Sequence, residues 1–123
     1  MNNDPKYDLE DRLIDFAVMV LDVTEKLPKT TAGLHVAGQL VRSGTSPAAN
    51  YGEVQGAESR KDFIHKFGIV LKELKESRVW LKIIHRKKYL SPGIIDSVLN
   101  ECCELIQISG KSISTARKNQ SNS

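Results

Sequence analysis

Val41-Arg42-Ser43-Gly44-Thr45-Ser46-Pro47-Ala48-Ala49-Asn50-Tyr51-Gly52-Glu53, with Asp62-Phe63 following nine residues on, is the stretch on which the fold turns. It spaces apolar and small residues as a helix does, yet sets a polar stripe and a proline among them. At about 100° per residue, Arg42, Ser46, Asn50 and Glu53 fall within about an 80° arc. Val36, Leu40, Val41 and Tyr51 take the inward side, and small Ala37, Gly44 and Ala48 permit close approach of a neighbour. Pro47 removes one backbone donor, crowds the carbonyl four residues earlier and pushes Ser46 away from helical angles. The pattern predicts a helix from Thr31 or Ala32 to Gly56, with a kink or short break around Gly44–Pro47. A proline in a helix interior costs about 3 kcal/mol. Burial or side-chain bonds from Ser43, Thr45 or Ser46 must offset it.

Reading outward from this stretch gives three more helices. Downstream, Ser59 and Asp62 resemble a capping box with Asp in place of Glu. Phe63, Phe67, Val70, Leu74, Leu81 and Ile84 then repeat at three- and four-residue steps to near Tyr89. Ser91 caps a fourth helix with Pro92 at its first position, and Ile95, Leu99, Cys102, Ile106 and Ile113 supply its inner stripe. Upstream, Asp8 is the expected N-cap of a first helix that Pro28 stops. Leu9, Leu13, Phe16, Val20 and Leu27 make one apolar stripe there, and Ile14, Val18 and Leu21 make a second beside it. One stripe suffices for a helix packed only in its own monomer, so the second points to an oligomer interface. No segment alternates with period two. The fold class expected is all-α, an antiparallel up-down-up-down four-helix bundle with its second helix kinked near Pro47. Residues 8–116 form the bundle, with a flexible N-terminus at 1–7 and a flexible tail at 117–123.

Counting across the second turn predicts a contact. If helices two and three reverse around residues 57–58, Arg42 stands level with Glu73, Asn50 with His65, and Glu53 with Asp62 or Lys61. A planar guanidinium can grip a carboxylate with two hydrogen bonds. Such a pair, when partly buried, fixes the register of the hairpin more than it adds net stability. Arg42, Ser46, Asn50, Glu53 and Glu73 are therefore candidates for a structural polar network.

Composition narrows the class further. At 123 residues the chain is one domain, long enough for a core without disulfide or metal staples. No run of about 18 apolar residues exists, and the N-terminus lacks the basic start and apolar core of a secretory signal. A cytoplasmic location is expected. Adjacent Cys102 and Cys103 point about 100° apart on a helix, which disfavours a bridge between them. His35, His65 and His85 are too scattered for a metal site, and no phosphate-binding glycine loop is present. No cofactor is expected. The net charge of +3 is unevenly spread. Residues 1–27 carry three bases against seven acids, a net −4, whereas residues 60–88 carry ten bases against three acids, a net +7. Such a field attracts nucleic acid or another polyanion, and a solvated face beside an acidic neighbour would read the same way.

The pattern Arg42-Ser43-x-x-Ser46-x-x-x-Asn50-x-x-Glu53, then Asp62-Phe63 and the Glu73-bearing helix through Trp80 and Leu81, resembles the bacterial four-helix-bundle family of 23S rRNA intervening-sequence proteins. Some members are labelled ribosomal proteins. Similarity runs from about Leu9 to Ile106. The resemblance implies an up-down four-helix bundle assembling as a ring-like homopentamer. It also implies a relation to accessory proteins of diversity-generating retroelements, which share that barrel and bind a reverse transcriptase and nucleic acid. Two positions depart from many relatives, Ala48 where they place proline and Val54 where they place glycine.

Three functions compete on these residues. The first is a non-enzymatic oligomeric scaffold contacting RNA or DNA through helix three, with Lys72, Lys75, Arg78, Lys82, Arg86, Lys87 and Lys88 as contacts. Few aromatics stand nearby for base stacking (Trp80 and Tyr89), so binding would be phosphate-dominated and steeply salt-dependent. The second is a protein-docking adaptor, for instance for a reverse transcriptase. The third is a ribonuclease of the helical HEPN type, for which Arg60-x4-His65 and Arg78-x6-His85 supply the loose spacing. Histidine suits general acid–base work on a phosphate. The residue after arginine, Lys61 or Val79, departs from the short polar one usual in that family. No catalytic residue is assigned.

Overall fold

The computed structural model describes residues 5–121, with side chains for residues 9–120. Four helices account for nearly all of it: α1 (Pro5–Glu25), α2 (Thr31–Gln55), α3 (Arg60–Lys87) and α4 (Pro92–Ser121). No strand occurs among the described residues. Each helix reverses into the next through a short connection, so consecutive helices are antiparallel neighbours. α1 packs on α2, α2 on α3 and α3 on α4, and a thinner α1–α4 seam closes the bundle. The diagonal pairs share the core through their side chains without close backbone approach.

The helix ends follow local chemistry, with shifts from the expected boundaries at the start of α1 and the end of α4. α1 begins at Pro5, a turn ahead of Asp8, so Asp8 is not its N-cap. Proline suits the first turn because its missing N–H would have no partner there. Of the expected flexible N-terminus, residues 1–4 lie outside the described residues and 5–7 are helical. α2 is capped by Thr30, whose Oγ1 accepts a hydrogen bond from Gly33 N at 3.1 Å. At α3, Ser59 Oγ accepts from Asp62 N at 3.0 Å. The Asp62 carboxylate is one methylene shorter than a glutamate and accepts from Glu58 N, at 3.2 Å, where a full box would reach the cap residue itself. Lys66 lies 3.0 Å away and holds that carboxyl below its usual range, with the Glu58 amide adding to the effect. α3 ends at Lys88, which takes a left-handed conformation (φ 60°). α4 continues past Arg117 to Ser121, and residues 122–123 lie outside the described residues.

One stripe from each helix makes the core. Leu9, Leu13, Phe16, Val20 and Leu27 from α1 and its exit are buried against Val36, Leu40 and Tyr51, Phe67, Val70, Leu74, Leu81 and Ile84, and Ile95, Cys102, Ile106 and Ile113. Phe67 sits edge-on to both Tyr51 and Phe63, with ring centres 5.6 and 5.4 Å away. Phe63, Val41 and Leu99 are only half-buried. Ile14, Val18 and Leu21, the second stripe of α1, face solvent.

α2 takes Pro47 without a break, since Ser46 and Pro47 both stay helical. The offsets are local. Pro47 is buried, Thr45 Oγ1 donates to Val41 O at 2.7 Å, and Ser46 Oγ donates to Arg42 O at 2.6 Å. One turn before the proline, Gly44 lets Val20 lie against the α2 backbone: a Cβ at Gly44 would come 2.6 Å from Val20 Cγ1. That approach carries packing energy which a separated helix pair would forfeit.

Candidate functional site

The α2–α3 seam carries a connected polar network. Arg42 Nη1 donates to Glu73 Oε2 at 3.0 Å, its Nη2 pairs with Glu76 Oε2, and Nη2 also donates to Gln39 Oε1 at 3.3 Å. Trp80 Nε1 donates to the same Glu76 Oε2 at 3.1 Å, and the Trp80 ring meets His35 edge-on at 5.8 Å. One layer inward, the fully buried Ser43 and Ser77 hydroxyls are 3.0 Å apart, and Ser77 Oγ donates to Glu73 O at 2.9 Å. Helices approach this closely only where side chains are small. Of the five residues expected in the network, Arg42 and Glu73 meet directly, and Ser46 joins through the Arg42 carbonyl. Asn50 and Glu53 are not brought in. Gln39, Glu76 and Trp80 belong to it although the counting argument passed over them, and Glu76 was legible as the next acid on the face of Glu73.

The second feature is the outward side of α3. Lys72, Lys75, Lys82, Arg86, Lys87 and Lys88 are exposed there, and Arg78 is half-buried, close enough to Cys102 of α4 for its charge to be felt there. Ion pairs among the described residues use Arg12, Arg42, Lys66 and His85, and none of these seven cations is within 4.0 Å of a carboxylate of the described residues. The three bases of the last turn, His85, Arg86 and Lys87, sit at the negative end of the helix dipole. Lys87 Nζ stands 6.0 Å from the centre of the Tyr89 ring. Trp80 is turned toward α2 and engaged by Glu76, away from these cations.

The three histidines stand in separate surroundings, His35 beside Trp80. Arg60 lines a cavity of about 800 Å³ between the end of α2, the start of α3 and the end of α4, together with Tyr51, Phe63, Ile108 and Lys111. His65 instead lines a shallow groove on the other side, with Lys61, Lys72 and Arg117. Arg60 and His65 therefore do not converge on one site. His85 Nε2 is 3.4 Å from Asp96 Oδ1 at the start of α4. No group of three or more His, Cys, Asp or Glu side chains among the described residues is arranged to hold a metal ion. The cavity was not legible beforehand, because it exists only once α4 closes on the α2–α3 turn.

The fold and its network define a class: an all-α up-down bundle, its central hairpin locked by an arginine between two glutamates, with a cationic helix turned outward. The model of the 23S rRNA-intervening sequence protein family matches residues 6–111, and the chain belongs to that family. A crystal structure of a protein with unknown function from the S23 ribosomal protein family, from Bacteroides thetaiotaomicron VPI-5482, is similar in sequence and fold. It is 32% identical over 85% of this chain and 97% of that one, with a TM-score of 0.79. Among curated proteins no match is found. Both the resemblance and the four-helix bundle it implies are borne out. None of the helices is long and apolar enough, among the described residues, to cross a membrane.

Proposed function

We propose that the protein is a non-enzymatic oligomeric scaffold of the cytoplasm that contacts RNA or DNA through the outward side of α3. The observation that carries this reading is the set of seven cations on α3 without an ion pair among the described residues. A charged surface that serves only solubility usually mixes both signs. Here the acids of the helix are spent elsewhere: Glu73 and Glu76 face Arg42, and Asp62 faces Lys66. The field is left uncompensated, and it sits on a rigid helix. Contacts of this kind go to phosphates and carry little base information. Assembly multiplies the field, and the exposed apolar stripe of α1 supports assembly, because a helix packed only within its monomer would have no need of it.

The test is binding of a labelled single-stranded RNA by fluorescence anisotropy across a salt series. The logarithm of affinity should fall linearly with the logarithm of salt concentration, with a slope of roughly −0.7 per phosphate neutralised. Replacing Arg86, Lys87 and Lys88 by glutamate should abolish the salt-sensitive complex. Salt-independent binding, or binding untouched by the triple replacement, would remove this reading. A pulldown repeated after nuclease digestion separates it from protein docking, since a partner held through nucleic acid is then lost.

A further inference from the structure

The outward faces of α1 and α3 are complementary. On α1, Ile14 (46% exposed), Val18 (52%) and Leu21 (39%) form a continuous apolar strip one and two turns apart. Asp11, Asp15 and Asp22 flank it, all exposed and without an ion pair among the described residues. On α3, Ile69 (38%), Val79 (54%) and Ile83 (40%) are the exposed apolar residues, and Lys72, Lys75 and Lys82 stand beside them. α1 and α3 are diagonal in the bundle, with no close backbone approach between them, so these outward faces point in opposite directions and cannot meet within one chain.

We propose that the acidic, apolar face of α1 in one copy docks on the cationic, apolar face of α3 in a second copy. The contact divides the cations of α3: Lys72, Lys75 and Lys82 serve assembly, while Arg86, Lys87 and Lys88 at the end of the helix stay open to a polyanion. The proposal rests on the oligomeric-scaffold reading and names the surface that reading needs. Geometry selects the arrangement. A two-fold dimer through either face would set aspartates against aspartates or lysines against lysines. A head-to-tail contact sets unlike charges around buried apolar strips, and being heterologous it either closes into a ring or continues as a filament. Charge complementarity then chooses the partner face and its register, and apolar burial supplies the driving force.

Two reversed chains test this by sedimentation velocity. One carries Asp11→Lys, Asp15→Lys and Asp22→Lys; the other carries Lys72→Glu, Lys75→Glu and Lys82→Glu. All six positions are exposed, so both chains should keep the helical circular dichroism of the parent. The parent should assemble. Each reversed chain alone should sediment as a monomer, because its α1 and α3 faces now carry the same sign. An equimolar mixture should assemble again, since each α1 then finds an α3 of opposite sign on the other chain. A reversed chain that assembles alone as the parent does, or a mixture that stays monomeric, would overturn the interface. If the parent itself is monomeric, the scaffold reading falls with it; if all chains assemble alike, that reading stands and this interface falls. The chain with Arg86→Glu, Lys87→Glu and Lys88→Glu should assemble like the parent while losing RNA, and loss of assembly would overturn the division of the cations.

Discussion

Two arginines bridge this bundle with the same chemistry in different settings. Arg42 on α2 holds Glu73 and Glu76 on α3, and Arg12 on α1 holds Glu101 and Glu104 on α4. In both, one guanidinium lies between two glutamates three residues apart. The surroundings differ. The α2–α3 bridge is backed by Trp80, Gln39 and the Ser43–Ser77 contact, and a short connection already ties its helices together. The α1–α4 bridge stands on the thinnest seam, between helices with no direct connection. There Arg12 grips Glu101 with two bonds, Nε to Oε2 at 3.1 Å and Nη2 to Oε1 at 2.7 Å, and the two glutamates keep its guanidinium more firmly protonated. An ion pair matters most where little else fixes the geometry.

The largest effect should come from spoiling the close approach behind the Arg42 network. Ser43 and Ser77 have no exposed surface and face each other across the seam. Ser77→Leu adds branched bulk where the helices already touch and leaves the Ser43 hydroxyl without that partner. Overpacking of this kind costs about 3 kcal/mol, measurable as a lowered midpoint in urea. A loss below about 1 kcal/mol would mean the seam can open cheaply. Ser77→Ala, which keeps the space and drops only the hydroxyl, should cost about 1 kcal/mol.

The same contrast explains what could be read beforehand. The Arg42–Glu73 contact was countable because the two residues flank one short turn, so height along α2 translates directly into height along α3. Arg12 and Glu101 lie 89 positions apart, and their meeting depends on the tilt of every intervening helix. The buried stripes were legible from spacing alone, since burial of one face per helix is what makes a bundle. A kink or short break near Pro47 was expected from the local cost of proline; α2 runs through it as one helix, with Val20 packed against the backbone at Gly44. The outward strip of α1 was visible as a surplus of apolar residues. The interface proposed for it with α3 of a second copy required knowing that the two helices are diagonal.

Replacing each arginine by methionine sharpens the comparison next. Arg12→Met should cost about 1–2 kcal/mol and speed amide hydrogen exchange in α1, because the thin seam loses the guanidinium held between Glu101 and Glu104. Arg42→Met should cost about half as much, since the serine contact and the short turn keep the register. Both losses should shrink in high salt, as the partly exposed pairs are screened. Equal losses, or a larger one for Arg42→Met, would mean that the closing seam is held by packing and not by its arginine.

The smallest effect is on reactivity, and it reads the closing seam from its neighbour. Cys102 follows Glu101 directly, is fully buried, and its Sγ donates to Leu74 O at 3.3 Å. Burial pushes its thiol from the ordinary 9.0 up to about 12, so it stays neutral at pH 7. The sign follows: this thiol favours the folded chain below about pH 9, and the advantage drains away as pH rises toward 12, where the folded form also ionises. In a Cys103→Ser background, which leaves one thiol to follow, a disulfide reagent at pH 7 should label Cys102 only through opening of the bundle. Arg12→Met releases Glu101 and so should raise that labelling about fivefold for each 1 kcal/mol lost, with a smaller rise in Arg42→Met. If each variant raises it only in proportion to its own loss of global stability, the opening that exposes Cys102 is global unfolding, and the two arginines act on one cooperative unit instead of two distinct seams.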